Sequence, residues 1–320
     1  MPAPRVSDAE FIELWKTHKS AQAVARAVDL AVEEVYKRRR RIEARHNIKL
    51  KSEVRPEVAE RYKHLSQTEH NPRISVDITD GVIMVFSDAH FWPGVRTPAF
   101  RAFCMLAQKL KPKIIINNGD AFDGASISRF PRIGWDSKPS ILDELTACKD
   151  HLGEMQEAAP KAKLLWCLGN HDQRFENRLS ANVPEFQGIG GFRLNDHFPD
   201  WKTGWSVWVN NDVVIKHRFR NGIHATRNNT AASGKSMVTG HLHSLKVTPL
   251  DDYNGTRWGV DAGTLADPSG PQFRDYLEDN PTDWRSGFIV LTFKNGQMLW
   301  PEVARVVGNQ IDFRGELTAV

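Results

Sequence analysis

From Ile74 onward, short apolar runs alternate with longer stretches in which apolar residues recur every three or four positions. VIMVFS (82–87), KIIIN (113–117) and LLWCL (164–168) are too short and too continuously apolar for amphipathic helices, and they predict buried strands. Between them, TPAFRAFCMLAQKLK (97–111) and the region from Ser140 to Ala159 carry the helical period. Such strand–helix alternation predicts a layered α/β fold with parallel strands. The second half is richer in strand-like runs: WSVWVN, DVVIKH, SMVTGH, RWGVDAG, GFIVLTF and MLWPEV. These predict a second sheet stacked on the first.

The beginning of the chain is patterned differently. SDAEFIELWKTHKS predicts a helix capped by Ser7, with Phe11, Leu14 and Trp15 on one face. SAQAVARAV predicts a second, with Ser20 as its cap and Ala21, Val24, Ala25 and Val28 inward. In VEEVYKRRRRIEARHNIKL, Val32, Val35 and Tyr36 supply an inner face under a run of five basic residues. The arrangement resembles a helix-turn-helix, whose third helix enters the DNA major groove. Asp29 stands where many such turns have Gly, and Asp tolerates left-handed backbone better than most residues. On this reading Lys37, Arg38, Arg39 and Arg41 contact nucleic acid; the alternative is a solvated basic helix packed on the rest of the chain. The predicted parts are a basic segment (1–50), a polar connector with room for one helix (51–73), and a catalytic body (74–320).

Charge sharpens this division. Residues 1–73 hold 16 Lys and Arg against 11 Asp and Glu, and residues 74–320 hold 27 against 28, so the excess of +4 comes from the first quarter. No apolar run approaches the roughly 18 residues of a membrane span. The opening MPAPRVSDAEF lacks a signal-peptide core, which favours the cytoplasm of a bacterial or phage-infected host cell. Cys104, Cys148 and Cys167 fit neither a disulfide framework nor a thiolate zinc site, and are expected to be small buried hydrophobes.

The residue types that bind metals fall where the predicted strands stop. Asp88 and His90 follow the first, Asp120 and Asp123 the second, and Asn170, His171 and Asp172 the third. His217 ends VVIKH, and His241 and His243 end MVTGHLH. Open α/β sheets bind ligands beyond the carboxyl ends of their strands, so these clusters are expected to converge on one crevice. His197 lacks that placement and is read as structural. His224 is left as a substrate-side residue or a substitute for His217.

DAH, GDAFD, GNHD, KH and GHLH together resemble the calcineurin-like metallophosphoesterase superfamily, over about residues 82–263. DGASISRFPR and AGTLADPSGPQFRDYLEDNPTDWRSGF look like its phage- and prophage-encoded branch. The resemblance implies a four-layer α/β/β/α sandwich, here with a small all-α N-terminal domain. It implies two divalent ions, one held by Asp88, His90, Asp120 and His243, the other by Asp120, Asn170, His217 and His241. Manganese is favoured, with iron, zinc or nickel as alternatives. By the same resemblance His171 is the catalytic helper, Asp123 orients it, and Asp172 supports the turn. The family commonly has His-Gly where this chain has His217-Arg218, and a side chain so placed could narrow access or contact phosphate. Arg129, Arg132 and Arg174 are further phosphate candidates, each with a plain surface arginine as the alternative.

The implied chemistry is metal-dependent hydrolysis of phosphoesters. A nuclease acting on DNA is favoured, since GDAFD and GNHD look like the motifs of the double-strand-break repair nuclease branch. GNHD rather than GNHE argues against the protein serine/threonine phosphatase branch. The alternatives are a general phosphatase or phosphodiesterase of small phosphoesters, and a DNA-binding regulator with a vestigial metal site.

Overall fold

The computed structural model describes residues 6–52, 70–131, 133, 135 and 137–320, which fall in two compact units, Met1–Glu69 and His70–Val320. Most of the predicted connector, and Arg132, lie outside the described residues.

The first unit packs three helices, α1 (Asp8–His18), α2 (Ala21–Val28) and α3 (Val32–His46). Ser7 caps α1 in a reciprocal box with Glu10, satisfying two backbone donors that the helix start leaves free. Ser20 occupies the corresponding place before α2 without a side-chain cap bond. Asp29 takes up the left-handed turn between α2 and α3, at φ 51°. Phe11, Trp15, Val24, Val28, Val35 and Ile42 form the core.

This packing corrects the expected basic face. Tyr36 is 46% exposed, and Ile42 takes the inner place expected of it. Arg38 and Arg39 are turned into the unit. The Arg38 guanidinium lies 5.1 Å over the Phe11 ring and donates to the Val6 carbonyl. Arg39 lies 4.7 Å over Trp15 and pairs with Glu43 at 3.0 Å. The cause is the helical period: residues 35, 38, 39 and 42 share one stripe, so these long side chains cover the aromatic core with their charges at its rim. The exposed face of α3 instead carries Tyr36, Lys37, Arg40, Arg41 and Ala44, with Glu33 and Glu34 at its N-terminal end.

The second unit contains two sheets. In the larger, β2 (Gly81–Phe86), β3 (Ile114–Asn117), β4 (Lys163–Cys167) and β5 (Lys202–Gly204) run parallel in sequence order. Antiparallel β11 (Gly287–Lys294), β13 (Glu302–Val307), β14 (Gln310–Phe313) and β15 (Glu316–Ala319) extend it beyond β2, and the short β12 (Gln297–Met298) pairs with β11. The strands of the smaller sheet are β1 (Ile74–Val76), β6 (Val207–Val209), β7 (Val213–Ile215), β8 (Ser236–Thr239), β9 (Lys246–Asp252) and β10 (Gly255–Asp261). Their order is β1-β6-β7-β8-β10-β9.

Strand alternation builds two cores at once. Ile83, Val85, Ile114, Ile116, Leu165 and Cys167 meet Val207, Val209, Ile215, Val238 and Val260 between the sheets. Met84, Phe86, Ile115 and Trp166 point the opposite way, onto helices α4 (Pro98–Leu110) and α5 (Ile141–Ala158), through Phe100, Phe103, Leu145, Leu152 and Met155. On the far side, α7 (Ala225–Ser233) lies so close to β10 that a methyl at Gly259 would overlap the Thr226 carbonyl. The layers are therefore α/β/β/α, and the loops beyond β2, β3 and β4 leave the sheet on one side. The remaining helices, α6 (Asp172–Asn182) and α8 (Arg274–Leu277), follow β4 and β10.

Candidate metal centre

The loops after β2, β3 and β8 each carry a histidine or carboxylate in a conformation that the chain adopts reluctantly. Asp88, His90, Asp120, His241 and His243 all have positive φ, between 40° and 69°. For residues other than Gly such backbone is strained, and it persists only where the surroundings enforce it. Close packing is part of that enforcement. A methyl at Gly169 would overlap the Asp120 carboxylate, and one at Gly240 would overlap Ser87 Oγ. This is the physical reason that Gly precedes Asn170 and His241.

Three groups of metal-binding type result, in each of which the ligand atoms lie within 4.8 Å of one another: Asp88 with His90 and His243; Asp120 with His217 and His241; and His90 with Asp123 and His171. In the first, His243 Nε2 lies 3.0 Å and His90 Nε2 3.9 Å from Asp88 Oδ1. In the second, His217 Nε2 lies 3.1 Å from Asp120 Oδ2 and 3.2 Å from Asn170 Oδ1. The third is held by hydrogen bonds. Asp123 Oδ1 accepts from Nδ1 of both His90 and His171, each at 2.8 Å.

These contacts test whether the residues suit a cation. His217 Nδ1 donates to the Asn118 carbonyl at 2.8 Å, so in the neutral imidazole Nε2 is a lone pair aimed at two oxygens that also only accept. His90 Nδ1 donates to Asp123, and its buried Nε2 has no protein partner. In that neutral form the converging lone pairs call for a positive charge among them, which a divalent ion can supply, and imidazole, carboxylate and amide oxygen suit a borderline divalent metal. No cysteine takes part; Cys148 and Cys167 are buried elsewhere.

The electrostatics agree. Burial opposes the charge of Asp88, yet His243 and His217 outweigh it and lower the carboxyl to about 2. Burial likewise opposes ionisation of Asp120, but His217 and His171 hold it well below the usual range. For Asp123 the bonds from His171 and His90 prevail over burial in the same direction. Burial disfavours charge on His217, and Asp120 with Asp88 outweighs it, raising the imidazole to about 10. Burial lowers His90, and burial followed by His217 pushes His241 down to about 4. The pocket thus has strongly ionised carboxylates and a high affinity for positive charge.

Asp172 carries more structure than a turn. Buried, it accepts from the backbone of Asp120 (2.9 Å), Phe122 (3.3 Å) and Gly169 (2.8 Å) and from Trp166 Nε1 (3.0 Å), tying the loop after β3 to the loop after β4. Burial and then Asp120 raise its carboxyl to about 6. The phosphate candidates separate. Arg174 donates to the Asp123 carbonyl at 2.9 Å and lies 3.1 Å from His171 Nε2. Arg218 is exposed but close enough to lower the pKa of His241. Arg129 is exposed over Phe130, outside the three groups. His224 is exposed ahead of α7 and joins none of them, and His197 bonds to the Gly191 carbonyl.

Four further residues that the sequence analysis assigned no role support the site. Asp261 Oδ1 accepts from Ser244, Leu245 and Gly263, fixing the backbone just after His243. Phe273 and Trp284 pack on the imidazole of His243, with ring centroids 5.8 and 4.4 Å away. Glu144, fully buried on α5, accepts from Gly124 and Ala125, next to Asp123. Its signal in the chain is a carboxylate in line with the apolar stripe of Cys148, His151 and Met155.

Burial, then Asp123, raises the Glu144 carboxyl from 4.5 to about 7. A folded pKa above the unfolded one gives stability that is complete in acid and fades as pH rises through about 7. Glu144→Gln should therefore match wild type most closely near pH 5 and gain on it toward pH 8. The gain is bounded at about 3 kcal/mol, readable in paired urea titrations; a constant difference across pH would contradict it.

The sequence profile of calcineurin-like phosphoesterases matches residues 81–261, more than half of the chain. Among solved structures, a dimetal phosphatase from Danio rerio is 9% identical, covering 72% of this chain and 98% of its own, with a TM-score of 0.40. A nuclease, MPE, from Pseudomonas putida is 14% identical, covering 68% and 86%, with a TM-score of 0.33. Vps29 from Chaetomium thermophilum is 9% identical, covering 71% and 91%, with a TM-score of 0.37. No curated protein matches the chain.

Proposed function

We propose that this chain, which belongs to the calcineurin-like phosphoesterase family, is a two-metal phosphodiesterase that cleaves nucleic acid. The observation that carries the reading is the convergence of lone-pair donors from five separate loops around Asp120. Asp88, His90 and His243 would hold one ion, and Asn170, His217 and His241 the other, with Asp120 shared between them. Manganese suits this donor set. When bound, such a pair supplies Lewis acidity toward phosphoryl oxygens and lowers the pKa of water.

The chain's own groups do the rest. Asp123 fixes both His90 and His171 through one oxygen, so the imidazole beside the scissile phosphate cannot rotate. His171 Nε2, which faces the Arg174 guanidinium at 3.1 Å, is the atom that would pass a proton to the leaving oxygen once Arg174 has left it and the imidazole is protonated; burial opposes that charge, and Asp120 and Asp123 outweigh it. Arg174 would move from His171 Nε2 to a phosphate oxygen as substrate enters, a charge-assisted contact of the kind guanidinium favours. His171→Ala should keep both metals while kcat falls about 10²- to 10⁴-fold. Loss of metal from that variant would place His171 among the ligands instead.

Nucleic acid is favoured as substrate by the basic face of α3, where Lys37, Arg40 and Arg41 are exposed on one side. Lys37→Ala/Arg40→Ala/Arg41→Ala is expected to weaken DNA retention and flatten its log–log salt dependence by about two to three. Removing Arg38 instead should mainly loosen the helical unit. The substrate reading itself is tested by cleavage of plasmid, single-stranded DNA and RNA with manganese. Hydrolysis confined to small aryl phosphodiesters would make the protein a general phosphodiesterase.

A further inference from the structure

From Val213 to Leu250 the chain contains no Asp or Glu, but it holds Lys216, Arg218, Arg220, Arg227, Lys235 and Lys246. Lys235 and Lys246 pair with Asp212 and Asp283, each at 3.8 Å. Among the described residues the other four cations make no ion pair. Three of them cluster directly around His217, where a ring stands out from the surface. Phe219 is 47% exposed, with Lys216 Nζ 5.5 Å and the Arg220 guanidinium 5.6 Å from its centroid.

The loop bearing that ring is pinned. Asn229, buried on α7, accepts from the Arg220 backbone N–H at 3.0 Å and donates to its carbonyl at 3.2 Å. Lys246 Nζ donates to the carbonyl of Ile223 at 3.2 Å. The exposed ring thus sits on a loop whose backbone is held just after it, beside two cations that make no ion pair among the described residues, and two residues from His217.

We infer that Arg218, Phe219 and Arg220 form a subsite for a single-stranded nucleic acid segment next to the scissile phosphate, with a base stacked on Phe219 and flanking phosphates on the arginines. The inference rests on the nuclease reading and adds to it the strand state of the substrate. The charge identifies a polyanion, and the ring selects among polyanions. A duplex keeps its bases stacked on one another, whereas an unpaired strand offers each base a π-face. The replacement of the family's usual Gly by Arg218 is then part of the subsite.

The test uses the full chain and a labelled oligonucleotide of about eight nucleotides, single-stranded or annealed to its complement. Phe219→Ala should weaken single-strand binding about tenfold or more, while duplex affinity, which the α3 face would supply, changes less than about twofold. Phe219→Trp should retain single-strand affinity, which separates stacking from folding. An unchanged single-strand affinity, an equal loss on duplex, or failure of wild type to bind any single strand would overturn the subsite. If wild type cleaves no nucleic acid with any metal while Phe219-dependent binding persists, the nuclease reading fails and the subsite stands. If DNA is cleaved and Phe219→Ala leaves both cleavage and binding untouched, the subsite fails and the nuclease reading stands.

Discussion

Asp120→Ala is expected to abolish phosphodiester hydrolysis, with kcat down by at least about 10³-fold. Lewis-acid assistance is worth several kcal/mol, and each 1.36 kcal/mol is a factor of ten. In the proposed site Asp120 is the ligand common to both ions. Its Oδ2 faces His217 Nε2 at 3.1 Å and its Oδ1 accepts from the His171 backbone at 2.8 Å. Removing the carboxylate takes away the ligand proposed to serve both ions and also frees the loop that bears His171. Asp120→Asn keeps the shape and one accepting oxygen, so it should fold with near-wild-type stability while losing metal and activity. Metal content by elemental analysis and turnover of an aryl phosphodiester check both variants. Retained turnover in Asp120→Ala would remove the shared carboxylate from the account.

The second large effect is on stability. Asp172→Ala would leave three backbone donors and the Trp166 indole without their acceptor inside the fold. Each buried unsatisfied group costs about 1–3 kcal/mol, and partial relaxation should hold the total near 3–5 kcal/mol. Asp172→Asn should cost less. Its amide oxygen can take the place of Oδ2, which serves Asp120, Gly169 and Trp166, so that the bond from Phe122 is lost. Urea unfolding should show the midpoint falling with an unchanged slope. Because Asp172 ties together the loops that present Asp120 and Asn170, metal affinity should fall in the same order as stability.

Much of this centre is legible in the chain because each part of it follows a buried strand, and such strands are continuous apolar runs. Asp88, His90, Asp120, Asn170, His217, His241 and His243 all stand out by that placement. The Gly before Asn170 and before His241 is visible in the chain, but its cause is not: the neighbouring loop's carboxylate or hydroxyl lies at contact distance. Short strands leave no such signal. Ile74–Val76 and Lys202–Gly204 have three residues each, too few for any period to show. MLWPEV, expected as one strand, is divided between Gln297–Met298 and Glu302–Val307, because Pro301 lacks the N–H that the ladder needs.

The basic helix shows a different limit. Composition locates the positive charge, but the inward or outward direction of each arginine depends on where Phe11 and Trp15 sit, and a neighbouring helix decides that. The carboxylates that hold the site from behind, Glu144 and Asp261, are not legible as supports of it in the sequence, for a related reason. Their partners are backbone N–H groups, which every residue except proline has and no motif records.

The central claim is a pair of cations gathered around Asp120, and anomalous diffraction from crystals soaked in manganese tests it most directly. Two peaks per chain are expected, one beside Asp88, His90 and His243 and the other beside Asn170, His217 and His241, with Asp120 touching both. A single peak, or peaks away from Asp120, would contradict it.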